Sequence, residues 1–214
     1  MQRIDEAAIH GIGIPRLLLM DQAGRAVAEA VRSLVPQPSQ EALVCCGTGY
    51  NGGDGLCAAR YLAQWGYHPH VVLVGAVERL KDEPAVYARI LSNLNVPLLE
   101  IADSAQLEQV HPGFARASVI VDALLGIGRQ GPVRPLSARV ITLINHANKP
   151  VVSVDVPSGL DADTGRPCDV AVRATLTVTF GLPKRGFFVG DGPTYVGELI
   201  VDDIGIPAQL LSGG

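Results

Sequence analysis

Three segments of this chain combine glycine with carboxylate or amide side chains: GTGYNGGDG at 47–55, VDALLGIGRQGP at 121–132 and VDVPSGLDADTG at 154–165. In the first, Gly47, Gly49 and Gly52 satisfy G-x-G-x-x-G, whose glycines allow a tight turn and whose helix-opening amides can hold phosphate. A dinucleotide site of the dehydrogenase kind also needs an acid at the end of the next strand to hold the ribose. Here the strand expected over 70–75 runs into GAV, and the nearest acid is Glu78. Asn51 and Asp54 stand instead at the helix start, where a second negative charge repels a pyrophosphate. The loop reads as suited to hydroxyls or a cation, whereas a lone Asp54 would simply favour the helix dipole.

In the second segment Asp122 closes an apolar strand and is followed by Gly126, Gly128 and Gly131, with Arg129 and Arg134 nearby. Backbone amides beside arginines can cradle phosphate, or the stretch is a surface turn with solvated arginines. A carboxylate inside VIVDALLG needs donors or a cation, because burying it alone costs several kcal/mol. In the third segment Asp155 again ends an apolar strand, and Pro157 and Ser158 force an immediate turn, so Asp155 is the group presented into a pocket at a set angle. Asp161, Asp163 and Thr164 read as turn formers, and Ser158 as a local cap or an oxygen ligand. Asn51, Asp122 and Ser158 together offer only oxygen and one formal charge, which suits a hard monovalent cation better than zinc or copper.

The elements that position these segments alternate between strand and helix. Strands are expected at 42–46, 70–75, 97–101, 118–122, 150–156, 175–180 and 198–202, and helices at 53–65, 82–95 and 136–147. Before them, apolar residues from Leu17 to Leu34 recur at three- and four-residue spacing after Pro15, with Gly24 able to admit a close neighbour. Runs such as PVVSVDV are continuously apolar, as strands covered on both faces are. The alternation predicts α/β architecture with a doubly wound, mainly parallel sheet. With 214 residues and 48% hydrophobic content the chain fits one domain over 1–214.

A net charge of −4 offers no basic field for nucleic acid, and no apolar stretch reaches the roughly 18 residues of a membrane helix. Cys45, Cys46, Cys57 and Cys168 form no C-x-x-C pair, and those in ALVCC read as buried thiols, consistent with a reducing cytoplasm. Lys184 in FGLPKRG reads as an exposed, salt-bridging lysine with a secondary candidacy for the site.

The segments GIPRLLLMDQAGRAVAEA, GTGYNGGDGLCAARYLAQWGYHP, VDALLGIGRQGPVRPL, VVSVDVPSGLDADTG and AVRATLTVTFGLPKRGFF resemble, in order, the signatures of the NAD(P)H-hydrate epimerase family, the YjeF amino-terminal domain. The resemblance implies a Rossmann-like three-layer sandwich and an isomerase that interconverts the R and S forms of hydrated NADH and NADPH. The alternative is a non-catalytic, nucleotide- or protein-binding version of the same domain. It further implies that Tyr50, Asn51, Gly52, Gly53, Asp54, Gly126, Ile127, Gly128, Arg129, Gln130, Gly131, Pro132 and Asp155 contact the substrate. Asn51, Asp122 and Ser158 would hold one potassium ion per subunit. Asp155 is the expected catalytic acid–base group. A homodimer is expected, with an ADP- or ATP-dependent dehydratase as functional partner and no dehydratase domain in this chain. Tyr50 stands where the family commonly has a first asparagine, and Ile127 where it often has threonine.

Overall fold

Runs such as VIVDA and LTVTF are apolar at almost every position, so strands made from them need cover on both faces. The computed structural model, which describes residues 2–127 and 131–212, supplies it. Strands β1 (Glu41–Cys46), β2 (His68–Val74), β3 (Leu98–Ile101), β4 (Val119–Ala123), β5 (Val151–Val154), β6 (Leu176–Phe180) and β7 (Glu198–Asp202) form one sheet. Their order is β3-β2-β1-β4-β5-β6-β7, and every adjacent pair is parallel. This is the expected doubly wound, Rossmann-like α/β arrangement.

The helical layers are built from α1 (Gln2–Glu6), which runs into a wide π turn at Ala7–Ile12, and from α2 (Arg16–Leu34), α3 (Tyr50–Gln64), α4 (Asp82–Asn93), α5 (Ser104–Arg116) and α6 (Pro135–His146). Side chains of β1 alternate between two cores. Ala42, Val44 and Cys46 join Leu56 of α3 and Leu91 of α4, while Leu43 and Cys45 join Phe114 of α5 and Ile141 of α6. Cys45, Cys46 and Cys57 are buried free thiols, and burial pushes that of Cys57 up to about 12.

α2 buries Leu19, Met20, Ala23, Gly24, Val27, Ala28 and Val31, the helical stripe expected after Pro15. Asp21, on the same helix, ties three helices together, accepting from Arg60 Nη2 at 2.7 Å, Tyr61 OH at 2.7 Å and Tyr87 OH at 2.9 Å. Burial alone would raise its carboxyl, but Tyr61, Tyr87 and Arg60 together hold it below the usual value.

Several elements depart from the sequence reading, among them α1 with its π turn, which was not expected, and β5, which stops at Val154 short of 156. α5 was not expected: Pro112 and Gly113 interrupt its pattern, yet Asp103 caps it by accepting from Gln106 N–H at 2.8 Å. Helix α3 begins at Tyr50 rather than 53, and β2 at His68 rather than 70. The turns that lead from helix to strand occupy the N-terminal edge of the sheet, and four of them pass through left-handed backbone, at Ser39 (φ 67°), Gly66 (85°), Asn95 (55°) and Asn148 (52°). Among the described residues no helix is long and apolar enough to cross a membrane.

Gly24 carries the α2–α3 contact, since a Cβ there would lie 2.4 Å from Cys57 Cβ and Sγ and 2.9 Å from Ala58 N. Gly24→Ala is expected to destabilise the chain by ~1–3 kcal/mol through overpacking. At about 2–4 °C per kcal/mol for a chain of this length, thermal denaturation will read the loss directly. Gly11→Ala, with nothing within 4 Å of its Cβ, is the matched control.

Candidate active site

The strand order reverses between β1 and β4, which leaves a crevice beyond their C-terminal ends. Gly47 N–H donates to Ala123 O at 3.0 Å, joining the first segment to the end of β4. Two glycines allow this approach: a Cβ on Gly47 would meet Leu124 O at 2.2 Å, and one on Gly52 would meet Gly47 O at 1.9 Å. The chain therefore turns tightly into α3 and brings Asn51 against Gly126, whose own Cβ would lie 3.2 Å from Asn51 Cβ.

Asp122, fully buried on β4, faces its register neighbour Ser153 on β5. Its Oδ2 accepts from Ser153 Oγ at 2.8 Å and from Ser158 N–H at 2.8 Å, and its Oδ1 from Leu124 N–H at 3.4 Å. Burial still raises its carboxyl above the ordinary value, although Ser158, Ser153 and Leu124 pull it down. Ser158 Oγ accepts from Leu125 N–H at 2.9 Å and lies 3.3 Å from Leu125 O, to which it donates. Nearby, Asn51 Nδ2 is buried with no partner among the described residues. The oxygens of Asn51, Asp122 and Ser158, with one formal charge among them, fit a large monovalent cation better than a small divalent one, whereas Asn51 Nδ2, a donor, calls for an acceptor.

Asp155 follows β5 directly and has φ 62°, an uncommon conformation for a residue with a Cβ. The turn is closed by Val156 N–H donating to Val154 O at 2.8 Å, and Asp155 N–H donates to Val178 O on β6 at 2.7 Å. Such backbone costs about 1–3 kcal/mol and persists where its surroundings over-determine it. Oδ1 accepts from Thr179 Oγ1 at 3.2 Å, from Phe180 N–H at 3.3 Å and from Lys184 Nζ. Lys184 is only 8% exposed, and its ammonium also donates to Thr179 Oγ1 at 2.7 Å and Phe180 O at 3.1 Å. The expectation of an exposed lysine is therefore corrected: the turn after β6 buries Lys184, where it pairs with Asp155.

Both residues line a cavity of about 1030 Å³, together with Asn51, Asp54, Gly126, Ile127 and Arg134. The N-terminal segment lines it too, through Asp5 and Glu6 of α1, Ile9 of the π turn, and Arg16 and Met20 of α2. Tyr50 stands at the mouth, 47% exposed, with the Arg16 guanidinium 4.5 Å over its ring. Asp54 makes no hydrogen bond or ion pair among the described residues; burial, then the carboxylates of Asp155 and Asp5, push its carboxyl well above the ordinary value.

Other expected residues fall elsewhere. Gly52 and Gly53 are buried behind the loop, and Asp122 and Ser158 lie beneath the cavity surface. Gly131 and Pro132 are exposed outside the lining, and Gly128, Arg129 and Gln130 lie outside the described residues. Asp161 is the turn former expected of it, its Oδ1 accepting from Thr164 N–H at 2.7 Å, Thr164 Oγ1 at 2.8 Å and Asp163 N–H at 3.0 Å. Asp5 and Arg16 were not foreseen, since nothing in their spacing ties residues of the N-terminal helices to a cavity whose other lining runs from Gly47 to Ile204.

Residues 16–186 match the family described as YjeF-related protein N-terminus. The chain is 44% identical over 205 residues to the bifunctional NAD(P)H-hydrate repair enzyme Nnr of Pyrobaculum aerophilum, covering 94% of this chain and 40% of that protein. It is 40% identical over 213 residues to the NAD(P)H-hydrate epimerase of Weissella koreensis, covering 98% of this chain and 91% of that one. The chain thus spans about 40% of the length of the bifunctional relatives it matches and nearly all of the shorter one. The crystal structure of the yeast protein ynu0, YNL200c, superposes with a TM-score of 0.77 at 29% identity, covering 89% of this chain and 82% of that one.

The raised Asp54 carboxyl has a measurable consequence. Above the ordinary carboxylate range the folded chain keeps a proton on Asp54 that the unfolded chain releases, so this group's contribution to stability falls as pH rises. Asp54→Asn removes that cost. Its melting temperature relative to the parent is expected to be higher at pH 8 than at pH 4.5, and an equal difference at both would contradict the assignment.

Proposed function

The chain belongs to the family of YjeF-related protein N-termini, and on that premise we propose that it is an isomerase interconverting the R and S forms of hydrated NADH and NADPH. The observation that carries the reading is Asp155: a buried carboxylate on strained backbone, paired with Lys184, facing a cavity at the strand-order reversal. A dehydrogenase reading lacks support, because β2 ends without an acid for the ribose.

In hydrated NADH the hydroxyl sits on C6, beside ring nitrogen N1. Protonation of that oxygen lets the N1 lone pair expel water and leaves a planar iminium, to which water can return on either face. Asp155 gives acid–base assistance to this loss and return of water, work commonly worth about 10²–10⁴ in rate. Lys184 compensates the carboxylate and fixes its direction, since all three of its protons are engaged with Asp155, Thr179 and Phe180. Arg134 and the amides near Gly126 are suited to the diphosphate, and Tyr50 with Arg16 offers a flat cationic platform at the entrance.

Asn51, Asp122 and Ser158 would hold a potassium ion. When bound, it would neutralise Asp122 and set the Gly126 loop against the substrate phosphates. An ADP- or ATP-dependent dehydratase acting on the S form would be the functional partner, and the working assembly a homodimer.

Two measurements test the reading. Supplied with purified R hydrate and an S-specific dehydratase, the parent chain should speed consumption of the R form well beyond its spontaneous drift. Asp155→Asn should lower that rate by about 10²–10⁴ without unfolding the protein. An undiminished rate in this variant would overturn the catalytic assignment. Asp122→Asn should instead raise KM and abolish any response to exchanging potassium for a bulky organic cation.

A further inference from the structure

Inversion by loss and return of water involves both faces of a planar ring, and a proton must move on each. One group protonates the departing hydroxyl; another takes a proton from the water that enters opposite. Asp155 lines the cavity just past the end of β5, and so does Asp54, which stands on α3 just past β1. Asp5, half-buried on α1, lines the same cavity from a different element. We infer that Asp5 is a second catalytic acid–base residue that serves the ring face opposite Asp155. The inference rests on the epimerase reading and deepens it.

Asp5 lines the cavity and makes no hydrogen bond or ion pair with any described residue. Its position is nonetheless anchored. The next turn seats Ala8 with no exposure in the core, and Ile14 N–H donates to Ala8 O at 3.0 Å. Burial is the main influence on its carboxyl, with the chain amino terminus opposing, Asp155 reinforcing, and Lys184 and Arg16 opposing. The net direction is upward. Asp54 also faces this group of charges. Asp5 is thus held above its ordinary value, while Asp155 sits in an ion pair with Lys184: two carboxyls in one cavity in different surroundings.

The step balances. Asp5 gives its proton to the C6 hydroxyl, the C6–O bond breaks, and the N1 lone pair forms the C6–N1 double bond as water leaves. A second water bonds to C6 on the far face, its proton passes to Asp155, and the π pair returns to N1. Asp5 ends as carboxylate and Asp155 as carboxylic acid. The opposite epimer uses the pair in reverse, and exchange with solvent resets it.

The test follows each purified epimer of hydrated NADH in ¹⁸O-labelled water, measuring inversion and label entering the uninverted epimer. Asp5→Asn should lower kcat for inversion by about 10²–10⁴ with KM nearly unchanged. For the one epimer whose hydroxyl faces Asp155, label should still enter without inversion faster than in the absence of protein. Asp5→Glu should recover part of the inversion. The inference is overturned if Asp5→Asn inverts at the parent rate, if it loses inversion and label exchange alike for both epimers, or if it fails to fold. It is also overturned if Asp54→Asn alone shows the pattern expected of Asp5→Asn. A parent chain that inverts neither epimer would refute the epimerase reading itself.

Discussion

A carboxylate taken out of water must find donors or a cation to replace its hydration, and this structure is arranged around that requirement. Asp122 is satisfied by one serine hydroxyl and two backbone amides, Asp155 by a lysine, a threonine and a backbone amide. Asp54 and Asp5 find no such partners among the described residues. The fold thus contains carboxylates in three conditions within one region: hydrogen-bonded, ion-paired and unengaged. A reaction that needs both a donor and an acceptor of protons draws on just such a spread.

Placing these groups together depends on the reversal of strand order and on backbone that approaches backbone. β1 and β4 are neighbours, so the segment after one packs on the segment after the other, with glycine at each point of contact. Asp155 is then aimed by the turn itself rather than by side-chain rotation: its left-handed backbone is held from one side by β6 and from the other by the tight closure onto Val154. Lys184 reaches it only because β6 lies beside β5, so the ion pair exists once the parallel pairing has formed.

Much of this was legible in the sequence, and for identifiable reasons. Continuous apolar runs announce strands with two covered faces, and the acids at the ends of VIVDA and VVSVD stand out against them. Gly24 announces a close helix contact, which Cys57 and Ala58 make. Other features were hidden because their cause is tertiary. Lys184 sits among Pro, Arg and Gly, a context typical of surface loops, and is buried only through the turn that follows β6. Asp5 lies on a short helix with no local pattern, and its place in the cavity comes from how α1 rests against the sheet edge. α5 was obscured by Pro112 and Gly113, which the helix tolerates near its end.

The two edges of the sheet bear on evolvability in different ways. Every acid and amide of the cavity hangs on the C-terminal edge or on the N-terminal helices above it, where strain and desolvation are retained for chemistry. The opposite edge consists of turns that pass through left-handed backbone, at Ser39, Asn95 and Asn148 without the glycine that such conformations favour. Those turns are positions where glycine relieves left-handed backbone away from Asp155 and the cavity. Substitutions there can compensate for costly changes in the cavity, so the usual conflict between robustness and activity is confined to one side of the molecule.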